Sequence, residues 1–275
     1  MKVVLFCGGQ GLRMREASES VPKPMVPIGG RPILWHVMKY FAHFGHKQFV
    51  VCLGYKGEVI KEFFLTYNEA LTNDFVLRDG GRQVELLRHD IHDWEITFVD
   101  TGLHTSIGQR LKAVQQHLGG DEAFLANYGD VLTDAPLHTL VENHRASGAV
   151  ASFLCVKPGY SFHLVQADHD DFVDSVVDTT HSDLRINGGY FVFQPEIFDF
   201  IEPGEDLVEE PFARLIEARR LFANKYDGFW APMDTLKDQQ RLEQMVESGN
   251  GPWKLWELDS GADAVLAAPA TTESS

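Results

Sequence analysis

Short apolar runs alternate along this chain with longer stretches in which apolar residues recur at helical spacing. Residues 2–6, KVVLF, form a β-branched run closed by turn residues, the mark of a buried strand. Between Arg31 and Gly45, the side chains of Ile33, Leu34, Val37, Met38, Phe41 and Phe44 fall at helical spacing, and Gly45 supplies a stop. QFVVCLGY (48–55) reads as the next buried strand, KGEVIKEFF (56–64) as a helix and WEITFVD (94–100) as a strand. IGQRLKAVQQHLGG (107–120) reads as a helix ended by glycines, EAFLANYGD (122–130) as a strand, LHTLVENHRASG (137–148) as a helix and AVASFLCV (149–156) as a strand. Strands alternating with helices of about ten to fifteen residues predict an α/β fold with a mostly parallel sheet and helices on both faces.

Two stretches break the alternation. Residues 67–93 are polar and irregular, with RDGGRQ as a hairpin turn. Residues 160–186 carry the short runs FHLVQA and FVDSVV around DHDD, which predicts a small β-hairpin inserted into the α/β core. A last helix is expected over DTLKDQQRLEQMVESG from Asp234 onward. The expected organisation is one domain over residues 1–257, followed by a small, polar, disordered tail at 258–275.

Composition narrows the partners. The 275 residues are 44% hydrophobic, enough for a substantial core, and the net charge is −16. So acidic a surface argues against nucleic acid or an anionic membrane as partner, and it makes any cluster of cations more telling. Cys7, Cys52 and Cys155 each sit in a strand-like run and read as buried apolar residues of a reducing compartment rather than disulfide or metal ligands. With no leader-like segment and no apolar stretch of spanning length, a soluble cytoplasmic protein is expected. Whether copies associate into a homo-oligomer stays open, with Trp230, Trp253 and Trp256 assigned to the core.

Candidate chemistry gathers at the first strand's end. CGGQGLRMREASESVPKPM (7–25) places three glycines, then Arg13 and Lys23, directly after VVLF. Such a turn lets backbone N–H groups approach an anion, and the cations suit phosphate. The spacing is neither a Walker loop nor G-x-G-x-x-G. Asp130 follows a buried strand at the carboxyl edge of the sheet, where α/β proteins bind ligands. Asp234 is placed at the N-cap of the last helix, where capping accounts for an aspartate by itself. Together the two carboxylates could hold Mg²⁺ or Mn²⁺ against a diphosphate.

Taken in order, CGGQGLRM…VPKPMVPIGGRPILWHVMKYF, GYKGEVIKEFF, FVDTG, GQRLKAV, YGD, INGGYFVF, EEP and GFWAPMDTLKDQQRLE resemble the sugar-1-phosphate nucleotidylyltransferases over about residues 1–257, and within them the glucose-1-phosphate cytidylyltransferases. The resemblance implies a Rossmann-like nucleotidyltransferase fold, a nucleoside-diphosphate sugar as ligand and a divalent cation, without flavin or NAD. It implies that Gly8, Gly9 and Gly11 wrap the nucleotide, that Arg13, Lys23 and Arg110 contact it, and that Asp130 and Asp234 bind the metal. Asn187, Gly188 and Gly189 are implied at the sugar.

Two departures shape the functional expectation. Leu12 stands where the family has a threonine before its arginine. The family's lysine upstream of I-N-G-G, which grips the sugar phosphate, falls on Asp178 in a gapless alignment, with Arg185 or Lys157 as substitute cations. An enzyme that receives its nucleotide sugar whole needs no such grip. That points to a similar group, the flavin-independent GDP-sugar pyranose–furanose mutases, with His163, Asp178, His181 and Asp183 as acid–base candidates and Arg13, Lys23 and Asp130 at the diphosphate. Ring isomerisation is thus the first expectation, nucleotidyl transfer to a hexose 1-phosphate the alternative, and a non-catalytic nucleotide-sugar sensor the third.

Overall fold

A computed structural model describes residues 1–9, 11, 21–159 and 162–257. In chain order the strands are β1 (Val3–Phe6), β2 (Pro27–Ile28), β3 (Arg31–Pro32), β4 (Gln48–Leu53), β5 (Phe75–Arg78), β6 (Gln83–Leu86), β7 (Glu95–Asp100) and β8 (Phe124–Asn127). They continue as β9 (Val131–Thr133), β10 (Ala151–Val156), β11 (His163–Ala167), β12 (Val173–Asp178), β13 (Ile186–Phe193), β14 (Leu221–Tyr226) and β15 (Trp230–Pro232). The α-helices are α1 (Ile33–His43), α2 (Gly57–Leu65), α3 (Ile107–Ala113), α4 (Leu137–Ser147), α5 (Glu210–Glu217) and α6 (Leu236–Glu247).

Seven strands form the central sheet in the order β14-β10-β13-β8-β1-β4-β7. β8, β1, β4 and β7 run parallel, as do β10 and β14, while β13 is antiparallel to both β8 and β10. Alternation along β1 shows why both faces carry helices. Val3 and Leu5 enter one core with Ile33, Leu34, Val37 and Phe41 of α1 and Leu140 of α4. Val4 and Phe6 enter the other with Leu111 of α3 and Phe212 and Leu215 of α5. All four side chains of β1 are buried, as expected for a strand covered on both faces. Trp253 is fully buried in the first core, with Trp230 and Trp256 packed at its margin.

Most expected elements lie where the pattern puts them. Helix α1 stops at Gly45, whose φ of 84° allows the N–H groups of Gly45 and His46 to close onto Ala42 and Phe41. RDGGRQ turns the β5–β6 hairpin, and β11 pairs antiparallel with β12. The helix expected at 107–120 is shorter: at Val114 the chain tightens into a 3₁₀ turn over Gln115–His117, which buries Val114 and Leu118. The expected strand 122–130 also divides. Asn127 Oδ1 accepts the N–H of Gly129, whose φ is 77°, and the chain leaves the ladder before Asp130. It resumes as β9 against β15. Among the described residues no helix is long and apolar enough to cross a membrane. The tail expected at 258–275 lies outside the described residues.

Candidate functional site

Four parallel strands, β1, β4, β7 and β8, end side by side, and the loops that follow them converge. Cys7 N–H donates to Cys52 O and Tyr55 N–H to Gly8 O, which ties the loop after β1 to the loop after β4. Beneath them lies Arg110 of α3, 2% exposed. Its Nη1 donates to Leu53 O at 3.1 Å and Thr101 Oγ1 at 2.6 Å, and its Nη2 to Gly8 O at 3.1 Å and Leu103 O at 3.3 Å. Burial lowers its pKa, offset only in part by Cys52, Cys7 and Asp100. A side chain at position 8 would displace the Arg110 guanidinium, since a Cβ there would lie 2.0 Å from Nη1. Gly9, by contrast, is exposed with open space where a side chain would stand, so its backbone can be approached from outside. Arg110, expected to contact the nucleotide, donates here to three loop carbonyls and the Thr101 hydroxyl and so holds these loops together.

Across this edge, three charged groups meet. Lys23 heads a 3₁₀ turn, KPM, set by Pro22 and Pro24. Its Nζ lies 2.5 Å from Asp130 Oδ2 and 2.6 Å from Asp234 Oδ1, with all three side chains largely buried. Burial works against the ammonium, but Asp130 and Asp234 outweigh it and raise the lysine's pKa. The structure corrects the placement of Asp234. The N-cap of α6 is Thr235, whose hydroxyl accepts the N–H of Asp238 at 3.2 Å while Asp238 Oδ2 accepts that of Thr235 at 2.8 Å. Asp238 also takes the N–H of Asp234 at 3.0 Å. The Asp234 carboxylate is therefore released from capping and turned to Lys23. Arg13 and Leu12 lie outside the described residues.

Next to this centre, β13 brings in Asn187, Gly188 and Gly189. Asn187 Nδ2 donates to Tyr128 Oη at 3.2 Å, and its Oδ1 accepts Gly189 N–H at 2.9 Å. Gly189 has a φ of 74°, and a Cβ there would meet the Tyr128 ring at 2.5 Å. Trp230 Nε1 donates to Gly188 O at 2.8 Å. These bonds fix the start of the inner strand β13, where Gly188 and Gly189 are buried; the contacts of Tyr128 and Trp230 with it are not legible from sequence, although YGD flagged the first. His163 and Asp178 are opposite each other on the β11–β12 ladder, His163 exposed and Asp178 half-buried. His181 and Asp183 are exposed on the following segment. Arg185, offered from sequence as a substitute phosphate grip, is committed elsewhere: Nη1 donates to Cys155 O and Tyr226 O, and Nη2 pairs with Asp227 at 2.8 Å. Lys157 is exposed just beyond β10, one step past the Val156–Ile186 pair of the β10–β13 ladder.

Similarity to known proteins matches this geometry. Residues 2–238 match the Nucleotidyl transferase family. A glucose-1-phosphate cytidylyltransferase of Salmonella typhi is 39% identical over 259 residues, 94% of this chain and 100% of that protein. A mannose-1-phosphate guanyltransferase of Candida albicans is 26% identical over 86% of this chain and 62% of its own length. Among solved structures, a UDP-glucose pyrophosphorylase complexed with UDP-glucose superposes with a TM-score of 0.67, covering 90% of this chain and 98% of that one at 13% identity, a likeness of fold.

Proposed function

The chain belongs to the nucleotidyl transferase family as a sugar-1-phosphate nucleotidylyltransferase, and we propose that it joins CTP to glucose 1-phosphate, releasing pyrophosphate. The observation that supports this most is the convergence of Lys23, Asp130 and Asp234 at the open carboxyl edge of the sheet, beside the Gly8–Gly9 turn. CTP and glucose come from the Salmonella relative's description. In the proposed reaction a phosphate oxygen of the sugar phosphate attacks the α-phosphorus of the triphosphate. The bond to the β-phosphate oxygen breaks, and pyrophosphate leaves with the bonding electrons.

The residues suit a hard cation. Two carboxylate oxygens that lie 2.5 and 2.6 Å from one nitrogen are no more than about 5 Å apart, and two oxygens on one octahedral magnesium ion stand about 3 Å (adjacent) to 4 Å (opposite) apart, so small side-chain movements would seat the ion. Asp130 and Asp234 would hold Mg²⁺ or Mn²⁺, which when bound would neutralise charge on the phosphate oxygens. Lys23 then turns from the carboxylates to the phosphates, joined by Arg13. The N–H groups of the Gly8–Gly9 turn orient the triphosphate, with Arg110 holding that turn rigid. Asn187, Gly188 and Gly189 face the sugar.

Ring contraction, expected from the charge reversal at Asp178, finds no support in these relatives, whose descriptions name transfer. Loss of the lysine at 178 calls for another grip on the sugar phosphate, and with Arg185 engaged, Lys157 is the candidate. The test is pyrophosphate release from a panel of nucleoside triphosphates with glucose 1-phosphate and Mg²⁺. CTP should give the highest kcat/KM. Absence of pyrophosphate with every nucleotide, together with a furanose signal from a nucleoside-diphosphate hexose, would restore the isomerase.

A further inference from the structure

The polar stretch between α2 and β7 carries a second set of ligating groups, apart from the site above. The carboxylate of Glu69 and the imidazoles of His89 and His92 each offer a donor atom, and these atoms all lie within 4.8 Å of one another. Their frame is pinned from two sides. Glu69 Oε1 accepts the backbone N–H groups of Asp90 at 2.9 Å and Ile91 at 2.7 Å, and Oε2 is 2.9 Å from His89 Nδ1. Asp90 anchors the same loop from within: it takes Lys39 Nζ at 2.8 Å, Tyr67 Oη at 2.5 Å and Arg31 Nη2 at 3.4 Å. Asp93 pairs with Lys47. Both aspartates of the loop are thus engaged, while the two imidazoles stand exposed with ring centres 4.4 Å apart.

We propose that Glu69, His89 and His92 bind a divalent transition-metal ion of the zinc class. Two imidazole nitrogens and one carboxylate oxygen form a donor set that zinc accepts, with water in the fourth position. Ligands ~2.0–2.2 Å from one ion in a tetrahedron stand about 3.3–3.6 Å apart. The His89 Nδ1–Glu69 Oε2 contact of 2.9 Å is a hydrogen bond shorter than that spacing; on metal binding its proton leaves to solvent and the pair opens slightly, while rotation of the exposed imidazoles brings His92 in. The two backbone amides on Oε1 are the outer contacts that aim the carboxylate. Donor chemistry sorts the two sites: imidazole favours zinc, while the all-oxygen Asp130–Asp234 pair favours magnesium. The ion would tie the 3₁₀ turn Glu69–Leu71 to the loop before β7, closing the base of the β5–β6 hairpin.

The test uses the full chain, cleared of metal with a chelator and titrated with Co²⁺ by visible absorption and Zn²⁺ by calorimetry. It is run in an Asp130→Asn/Asp234→Asn background so that the other carboxylates do not compete, and repeated in the unsubstituted chain. One equivalent of Co²⁺ with intense four-coordinate bands, displaced by Zn²⁺, is expected. His92→Ala and Glu69→Gln should each weaken Zn²⁺ binding at least tenfold, and Zn²⁺ should raise the Tm of the parent but not of His92→Ala. Zn²⁺ affinity and stoichiometry unchanged by both substitutions, in either background, would overturn the proposal.

Discussion

Around Gly8, loops after three strands are tied together by one buried arginine; around β11 and β12, two strands hold chiefly each other. Arg110 joins the carbonyls of Leu53, Gly8 and Leu103 and the hydroxyl of Thr101. The β11–β12 hairpin instead exposes Val165, Phe172, Val173 and Val176. The proposed nucleotide side is therefore held by cross-loop bonds around Gly8. The proposed sugar side has the bonded strip Asn187–Gly189 and, beyond it, a hairpin whose two strands pair with each other. A framework for phosphoryl transfer gains from rigidity, because its catalysis is mostly positioning. A hairpin that pairs chiefly within itself can change exposed residues without disturbing the loops around Gly8.

Substitution at the charged centre should give the largest effect. Asp130→Ala and Asp234→Ala should each lower kcat by about a thousandfold or more, with circular dichroism unchanged. Because Thr235 is the cap of α6, Asp234→Ala should leave stability nearly intact, whereas Thr235→Ala should lose about 1 kcal/mol in urea unfolding. A large stability loss in Asp234→Ala would mean that the carboxylate holds structure rather than ligand.

Arg110→Met comes next. It strands buried carbonyls, and a loss of roughly 3 kcal/mol is expected, together with weakened CTP binding in calorimetry. Unchanged CTP affinity would break the idea that the cradle depends on its strut.

His36, buried in α1, calibrates how the core responds to acid. Burial, opposed in part by its bond to Ile28 O, lowers its pKa to about 4. Between about pH 6.5 and 4 the unfolded chain binds a proton that the folded chain refuses, so stability falls as pH falls through that window. The contribution is on the order of 3 kcal/mol, and His36→Gln should flatten the slope of stability against pH there.

The smallest effects should come from the hairpin. His163→Ala should change stability by less than ~0.5 kcal/mol. Asp178→Lys should lower the KM for glucose 1-phosphate a few-fold with kcat nearly unchanged, and Lys157→Ala should raise it. A large fall in kcat from His163→Ala would place acid–base chemistry in the hairpin after all.

Most of this architecture could be read from the chain. VVLF, FVVCL and FLAN are apolar on every residue or nearly so because the strands are covered on both faces, and the helices between them announce themselves by spacing and by Gly45 and Gly148. Besides the two- and three-residue strands β2, β3, β9 and β15, the elements missed include β13, β14 and α5, which lie where alternation stops: β13 runs against its neighbours, and LFANKY is too mixed to show a period. At the site, Lys23 and Asp130 were legible because of what precedes them. Asp234 reads both as a metal-ligand candidate and as the helix cap; the cap falls one position later, on Thr235. Arg110 and Tyr128 act through contacts between residues far apart in sequence, which no local pattern carries.

The central claim is that Lys23, Asp130 and Asp234 serve nucleotidyl transfer to a sugar phosphate. ³¹P NMR of the enzyme with CTP, glucose 1-phosphate and Mg²⁺ tests it most directly. The account predicts loss of the triphosphate and sugar-phosphate resonances in step with the appearance of a diphosphate-diester pair and pyrophosphate, and no change in the Asp130→Ala variant. Unchanged phosphorus resonances in that mixture, with conversion of an added nucleoside-diphosphate hexose to its furanose form instead, would contradict it.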